Sequence, residues 1–182
     1  PGALSVKVTY TLTGTTLVLE YEAIPDAKTP VALTNHAYFN LDGFGGTICD
    51  HTARIYANEY SEIDENMIPY ANLPVQGTVF DFTEPHRIGE RIGGDFIGYD
   101  HNFVLRKGSA MALAAFVYHE DTGRSMEVIT DQPGVQLYTA CSTDYELPLQ
   151  PGDKVKFLKE TSRGYLVKKD GIVGWYRGRI EA

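Results

Sequence analysis

Short runs of alternating apolar and polar residues dominate the chain. Leu4–Leu12 (LSVKVTYTL) alternates, Thr13-Gly14 turns it, and Thr16–Ala23 (TLVLEYEA) alternates back, which predicts a β-hairpin. Pro25-Asp26 and Pro30 interrupt the pattern before a further short strand at Val31–Thr34. His51–Asn58, Thr78–Phe82, Asn102–Leu105, Met111–His119, Met126–Thr130 and Gly134–Thr139 follow at strand length. Asp121-Thr122-Gly123 predicts a second hairpin, between Met111–His119 and Met126–Thr130. No twelve-residue window holds a 3.6-residue period, and only Arg87–Ile92 has room for a helical turn. The expected fold is all-β and antiparallel, a sandwich rather than an α/β unit.

The last part of the chain carries a different pattern. After Pro148–Gly152 (PLQPG), three shorter runs, Asp153–Leu158, Gly164–Lys169 and Ile172–Tyr176, read as strands, with Asp170-Gly171 as a type I′ hairpin turn. Charge changes at the same place. Residues 1–146 hold 8 basic and 20 acidic side chains, whereas residues 147–182 hold 8 basic and 4 acidic, a step from net −12 to net +4. Two units are therefore expected, a sandwich over residues 1–141 and a small basic unit over residues 142–182.

At 182 residues and 43% hydrophobic content, the chain can bury an ordinary core. Its acidic body argues against nucleic acid, whose phosphates require a basic surface. No stretch approaches the ~18 apolar residues of a membrane span. Pro1-Gly2-Ala3 is neither a signal peptide nor an initiator start, so the chain reads as cut from something longer. Cys49 and Cys141 make neither a disulfide framework nor a ligand cluster, which suits a reducing cytoplasm.

Three polar clusters interrupt the strands. Leu33–Asp42 (LTNHAYFNLD) sets His36 among amides and aromatics at the end of an expected strand. Histidine is the side chain whose unperturbed pKa lets it give or take a proton near neutrality. Gly98–Phe103 (GYDHNF) places Asp100 beside His101, and Thr130–Tyr138 (TDQPGVQLY) places Gln136 inside an apolar strand, on one face with Gly134 and Tyr138. A buried Gln needs polar partners, and a ligand hydroxyl would serve. An isolated histidine near apolar residues is more often a satisfied structural group, and DH and QPG are common in turns. His101 is read as packing or pairing locally, and His51, His86 and His119 as surface or turn histidines without zinc-like spacing. Gly43–Gly46 (GFGG) lacks the strand-to-helix context of a phosphate loop and reads as a turn.

Taken together and in order, TNHAYFNLDG, Pro69 with Pro74–Asp81 (PVQGTVFD), GYDHNF and QPGVQLYT resemble the galactose mutarotase (aldose 1-epimerase) family over roughly residues 1–141. The resemblance implies an antiparallel β-supersandwich, here incomplete, that interconverts the α and β anomers of aldohexoses such as galactose and glucose. It implies that His36 is the acid that protonates the ring oxygen, and that Asp100 and Gln136 bind sugar hydroxyls. The chemistry needs an acid and a base but neither redox cofactor nor metal, so no cofactor is expected.

Two departures stand out. The family's N-terminal part, which supplies an arginine and a further histidine, is missing before Pro1. The family's catalytic Glu, in a Leu-Glu-Thr-Gln motif, has no clear match either. Leu158-Lys159-Glu160-Thr161 comes nearest, and Glu160 is read as a turn residue. An impaired enzyme is expected, with a non-catalytic carbohydrate-binding sandwich as the alternative. Residues 142–182 are similar to an SH3-like barrel, which implies a protein-interaction module taking proline-rich peptides on Tyr145, Trp175 and Tyr176. Against that stands a simpler role for Trp175 and Val173, filling a small barrel's core.

Overall fold

A computed structural model describes residues 1–43, 47–93, 96–106, 110–139, 154, 156–161, 164–169 and 172–176. The chain divides into two compact units, Pro1–Phe39 and Asn40–Ala182. In the first, β1 (Leu4–Thr13) and β2 (Thr16–Pro25) form the expected hairpin, in unbroken register from Leu4 opposite Pro25 to Thr13 opposite Thr16. Its open end is fastened by Asp26, whose N–H donates to Ala3 O (3.0 Å) and whose Oδ1 accepts from Ala3 N (2.7 Å).

The strand expected at Val31–Thr34 does not form. Just past it, local side chains claim the backbone of Asn35 and Ala37. Asn35 Oδ1 accepts from Ala37 N (3.1 Å) and Thr34 Oγ1 donates to Asn35 O (3.3 Å). Such bonds compete with a sheet ladder, so His36 sits in an irregular segment rather than at a strand end.

The second unit contains β3 (Thr52–Ile55), β4 (Ala57–Ile63), β5 (Pro69–Pro74), β6 (His86–Arg87), β7 (Asp100–Leu105), β8 (Ala112–His119), β9 (Arg124–Thr130) and β10 (Gly134–Tyr138). They build two antiparallel four-stranded sheets, in the orders β10-β7-β4-β5 and β6-β3-β8-β9. Both sheets contribute to one core. Ala53 and Ile55 of β3 and Ala114 and Ala115 of β8 are buried in the same cluster as Ala57 and Tyr60 of β4 and Phe103 and Leu105 of β7. The result is an all-β sandwich.

The single run expected at His51–Asn58 is split between these sheets at Tyr56. Its N–H donates to Ala114 O of β8 (2.9 Å), while its carbonyl accepts from Arg106 N, just past β7 (3.1 Å). A period-2 pattern continues through such a corner and does not reveal it. Thr78–Phe82 is not a strand either. Thr78 donates from both N and Oγ1 to Val75 O (3.1 and 2.7 Å), and Phe80 N donates to Thr78 Oγ1 (3.0 Å), which coils the segment into turns. Conversely, β5 escaped the pattern because Pro69 and Pro74 bound it; as an edge strand it tolerates both. The helical turn expected near Arg87–Ile92 forms as a 3-10 turn, Ile88–Arg91.

In the tail, β11 (Lys156–Thr161), β12 (Gly164–Lys169) and β13 (Ile172–Tyr176) form a three-stranded antiparallel sheet. Glu160 lies within β11 opposite Tyr165, so it is a strand residue and not a turn residue. Cys141, Tyr145, the PLQPG stretch and the Asp170-Gly171 turn lie outside the described residues, as do the side chains of Glu160, Val173, Trp175 and Tyr176.

Candidate functional site

Strand β7 (DHNFVL) separates two chemistries by alternation. Phe103 and Leu105 face the core, 1% and 6% exposed, and His101 packs on the same side against Phe80, ring centroids 4.5 Å apart. Asp100, Asn102 and Val104 face the other way. Strand β10 repeats the split: Val135 and Leu137 pack against the core, while Gly134, Gln136 and Tyr138 lie opposite Val104, Asn102 and Asp100.

This register brings two of the expected residues together. Gln136 Nε2 donates to Asp100 Oδ1 at 2.9 Å, a diagonal cross-strand contact on one face. Gln136 is exposed rather than buried, because β10 ends the sheet and turns its polar face to solvent. The polar partner inferred for it is Asp100.

Asp100 is held from both sides. Tyr99 is fully buried, its hydroxyl donates to Val79 O (2.9 Å), and its N–H donates to Thr139 Oγ1 (2.9 Å). Burial pushes the Tyr99 phenol up to about 12. On the other side, His101 Nδ1 accepts from Asp100 N (3.2 Å), which leaves the ring proton on Nε2. Burial lowers the His101 pKa, opposed by the nearby Glu62 and Asp100 carboxylates, so the ring is neutral at pH 7. His101 therefore packs and pairs locally, as expected.

Three polar residues of this face were not singled out by sequence. Asn102 Nδ2 donates to Ser61 Oγ (3.0 Å), and Ser61 Oγ donates to Asn72 Oδ1 (3.1 Å), a row that crosses β7, β4 and β5. Asn102 was legible as sharing a face with Asp100, two residues away; Ser61 and Asn72 depend on strand register, which the pattern does not supply.

His36 belongs to the other unit, Pro1–Phe39. It is exposed and lies edge-on to Tyr38, ring centroids 5.3 Å apart.

The remaining histidines need correction. His51 and His119 are 2% and 5% exposed and stack at 4.7 Å, so neither is a surface residue, although His51 closes the 3-10 turn Ile48–Asp50 by donating its N–H to Ile48 O (3.1 Å). Their work is local: His51 Nε2 accepts from Leu41 N (2.9 Å), while Leu41 O accepts from Thr122 Oγ1 (3.2 Å) and Arg124 Nη1 (2.8 Å). His119 Nδ1 meets Thr122 Oγ1 at 3.0 Å, completing a clamp on one residue's backbone. His86 is half-buried beside Glu90 (3.2 Å). Among the described residues, no three His, Cys, Asp or Glu side chains gather as metal ligands, and no helix is long and apolar enough to cross a membrane.

The sequence model of the family described as Aldose 1-epimerase matches residues 1–160. The chain is 45% identical over 156 residues to a galactose mutarotase of Rattus norvegicus, covering 84% of this chain and 46% of the relative. It is 46% identical over 142 residues to a galactose mutarotase of Homo sapiens, covering 76% and 42%. An aldose 1-epimerase of Escherichia coli is 38% identical over 151 residues, covering 76% and 42%. Among solved structures, an aldose epimerase homologue from C. elegans superposes with a TM-score of 0.71 at 30% identity, over 80% of this chain and 46% of that one. A galactose 1-epimerase from Lactobacillus acidophilus gives 0.66 at 29%, over 78% and 43%. The chain spans about half the length of the curated relatives it matches. The family match runs to Glu160, past the end of the recognised motifs and into the basic tail.

Proposed function

The chain belongs to the aldose 1-epimerase family, and from that premise we propose that it binds an aldohexose such as galactose or glucose and exchanges its α and β anomers by acid/base ring opening. The observation that carries this reading is the 2.9 Å Gln136–Asp100 hydrogen bond on an outward sheet face. Asp100 keeps a second carboxylate oxygen for sugar hydroxyls, and Gln136 keeps its amide oxygen, so the pair is built to accept from a polyol. His36 is proposed as the acid that protonates the ring oxygen while a base removes the anomeric hydroxyl proton. The C1–O5 bond breaks, the aldehyde rotates about C1–C2, and the ring recloses on the other face. Glu160, the last residue of the family match, is the carboxylate to test as base. Turnover is expected to be low, because no residue is assigned to that role.

The test has two parts. NMR titration with galactose is expected to shift the Gln136 and Asp100 resonances; no shift at either residue overturns the sugar-site reading. Anomer equilibration of α-D-galactose is then followed for the chain and for His36→Gln and Glu160→Gln. Loss of an essential acid or base lowers the rate ~10²–10⁴-fold, or to the buffer rate if activity is small. Equal rates for the chain and His36→Gln, both above buffer, remove His36 from the mechanism. Galactose-dependent shifts without any acceleration leave a non-catalytic carbohydrate-binding sandwich.

A further inference from the structure

We propose that Asn102 is a third hydroxyl ligand of this sheet face, its amide oxygen aimed by the row of hydrogen bonds that runs to β5. The inference rests on the sugar-site reading above and adds a residue to it. Asn102 lies directly opposite Gln136 and two residues from Asp100, on the same face as both.

The direction of the row decides the amide's orientation. Ser61 is 7% exposed, and its single hydroxyl proton is donated to Asn72 Oδ1 (3.1 Å). The Ser61 oxygen can then only accept, and it accepts from Asn102 Nδ2 (3.0 Å). With its NH2 turned toward β4, Asn102 points Oδ1 toward β10. There it lies over Gly134, where a Cβ would come within clashing distance of Oδ1, so any larger residue would displace the amide oxygen. No donor among the described residues reaches Asn102 Oδ1.

Three acceptors thus lie on one face of two adjacent strands: the second carboxylate oxygen of Asp100, the amide oxygen of Gln136 and, on the Gly134 side of Gln136, the amide oxygen of Asn102. Their complement is a set of neighbouring O–H donors on a neutral sugar. A carboxylate or phosphate group brings only further acceptors, and a negative charge beside Asp100. The site is accordingly expected to prefer a neutral aldose over its uronic acid or phosphate.

The full chain, labelled with 13C and 15N, is titrated with galactose and with galacturonic acid. The Asn102 side-chain carbonyl carbon is expected to shift along with that of Gln136, a readout that needs no variant. Asn102→Ala is expected to weaken galactose about three- to tenfold, as for loss of one hydrogen bond, and Ser61→Ala by about two- to threefold, since it only frees the amide to rotate. Galacturonic acid is expected to bind more weakly than galactose to the unmodified chain. Shifts at Gln136 and Asp100 with none at Asn102, and unchanged affinity in a folded Asn102→Ala, overturn the role of Asn102 and leave the site standing. Absence of any galactose-dependent shift at Gln136 and Asp100 removes the site itself, and Asn102 with it.

Discussion

The β1–β2 hairpin and the strands of the sandwich are written in the same alternating code, yet they end in opposite environments. The hairpin has the longer unbroken register, but Val8, Tyr10, Leu12, Leu17, Val18 and Ile24 are exposed along it. Strand β8 is shorter and bulged against β9, yet Ala114 is 0% and Ala115 6% exposed. A ladder of backbone hydrogen bonds gives little net stability, because the unfolded chain bonds equally to water. A two-stranded hairpin is marginal alone; burial between two sheets supplies most of the driving force.

The sharpest break between the regions is expected in the core. Phe103→Ala removes a ring 1% exposed and packed on Phe82 and Phe80, and should cost about 3–5 kcal/mol, read as a lower urea midpoint. A loss below about 1 kcal/mol would mean that the two sheets do not share one core.

Two glycines sharpen the comparison. Gly134→Ala should cost about 1–2 kcal/mol, because the new methyl displaces Asn102 from Ser61. Gly14→Ala, at φ +59° with nothing nearby, should cost about 1 kcal/mol through backbone strain alone. A double-mutant cycle with Asn102→Ala separates them: coupling is expected for Gly134 and additivity for Gly14. Equal behaviour of the two would refute the packing account of Gly134.

Titration gives a third contrast. Burial, then the neighbouring His119, lowers the His51 pKa below its ordinary 6.5, with Asp42 and Asp50 opposing. The unfolded chain binds the proton more readily, so this stability is fully present above about pH 6.5 and is lost as pH falls from there toward the folded-state pKa. Urea midpoints should decline over that range and flatten in His51→Gln; identical profiles would exclude His51 as the source. The smallest effect is expected in the hairpin, where Leu12→Thr, at a position 72% exposed, should change stability by no more than about 0.5 kcal/mol.

Much of the fold was legible in the alternation. The two hairpins and strands β7 and β10 followed from the period of two and from Gly-containing turns. What the pattern missed had local causes. Thr34 and Asn35 captured backbone groups of Asn35 and Ala37, just past the expected Val31–Thr34 strand, Thr78 coiled its own segment, and prolines disguised an edge strand. Each is a side-chain or edge effect that hydrophobic periodicity does not encode.

For the site, residue type singled out Asp100 and Gln136, the period of two placed Gln136 with Gly134 and Tyr138 on one strand face, and the motifs marked the family. Sequence alone did not say which strands would be neighbours or in what register. That the Gln136 amide meets the Asp100 carboxylate, that Asn102 sits over Gly134, and that Ser61 links it to Asn72 are products of the order β10-β7-β4-β5. The burial of His51 and His119 is of the same kind, since their stacking joins positions 68 residues apart. Periodicity is set within one strand by backbone geometry; register and burial are set between strands, where non-local packing chooses among pairings that every local pattern permits.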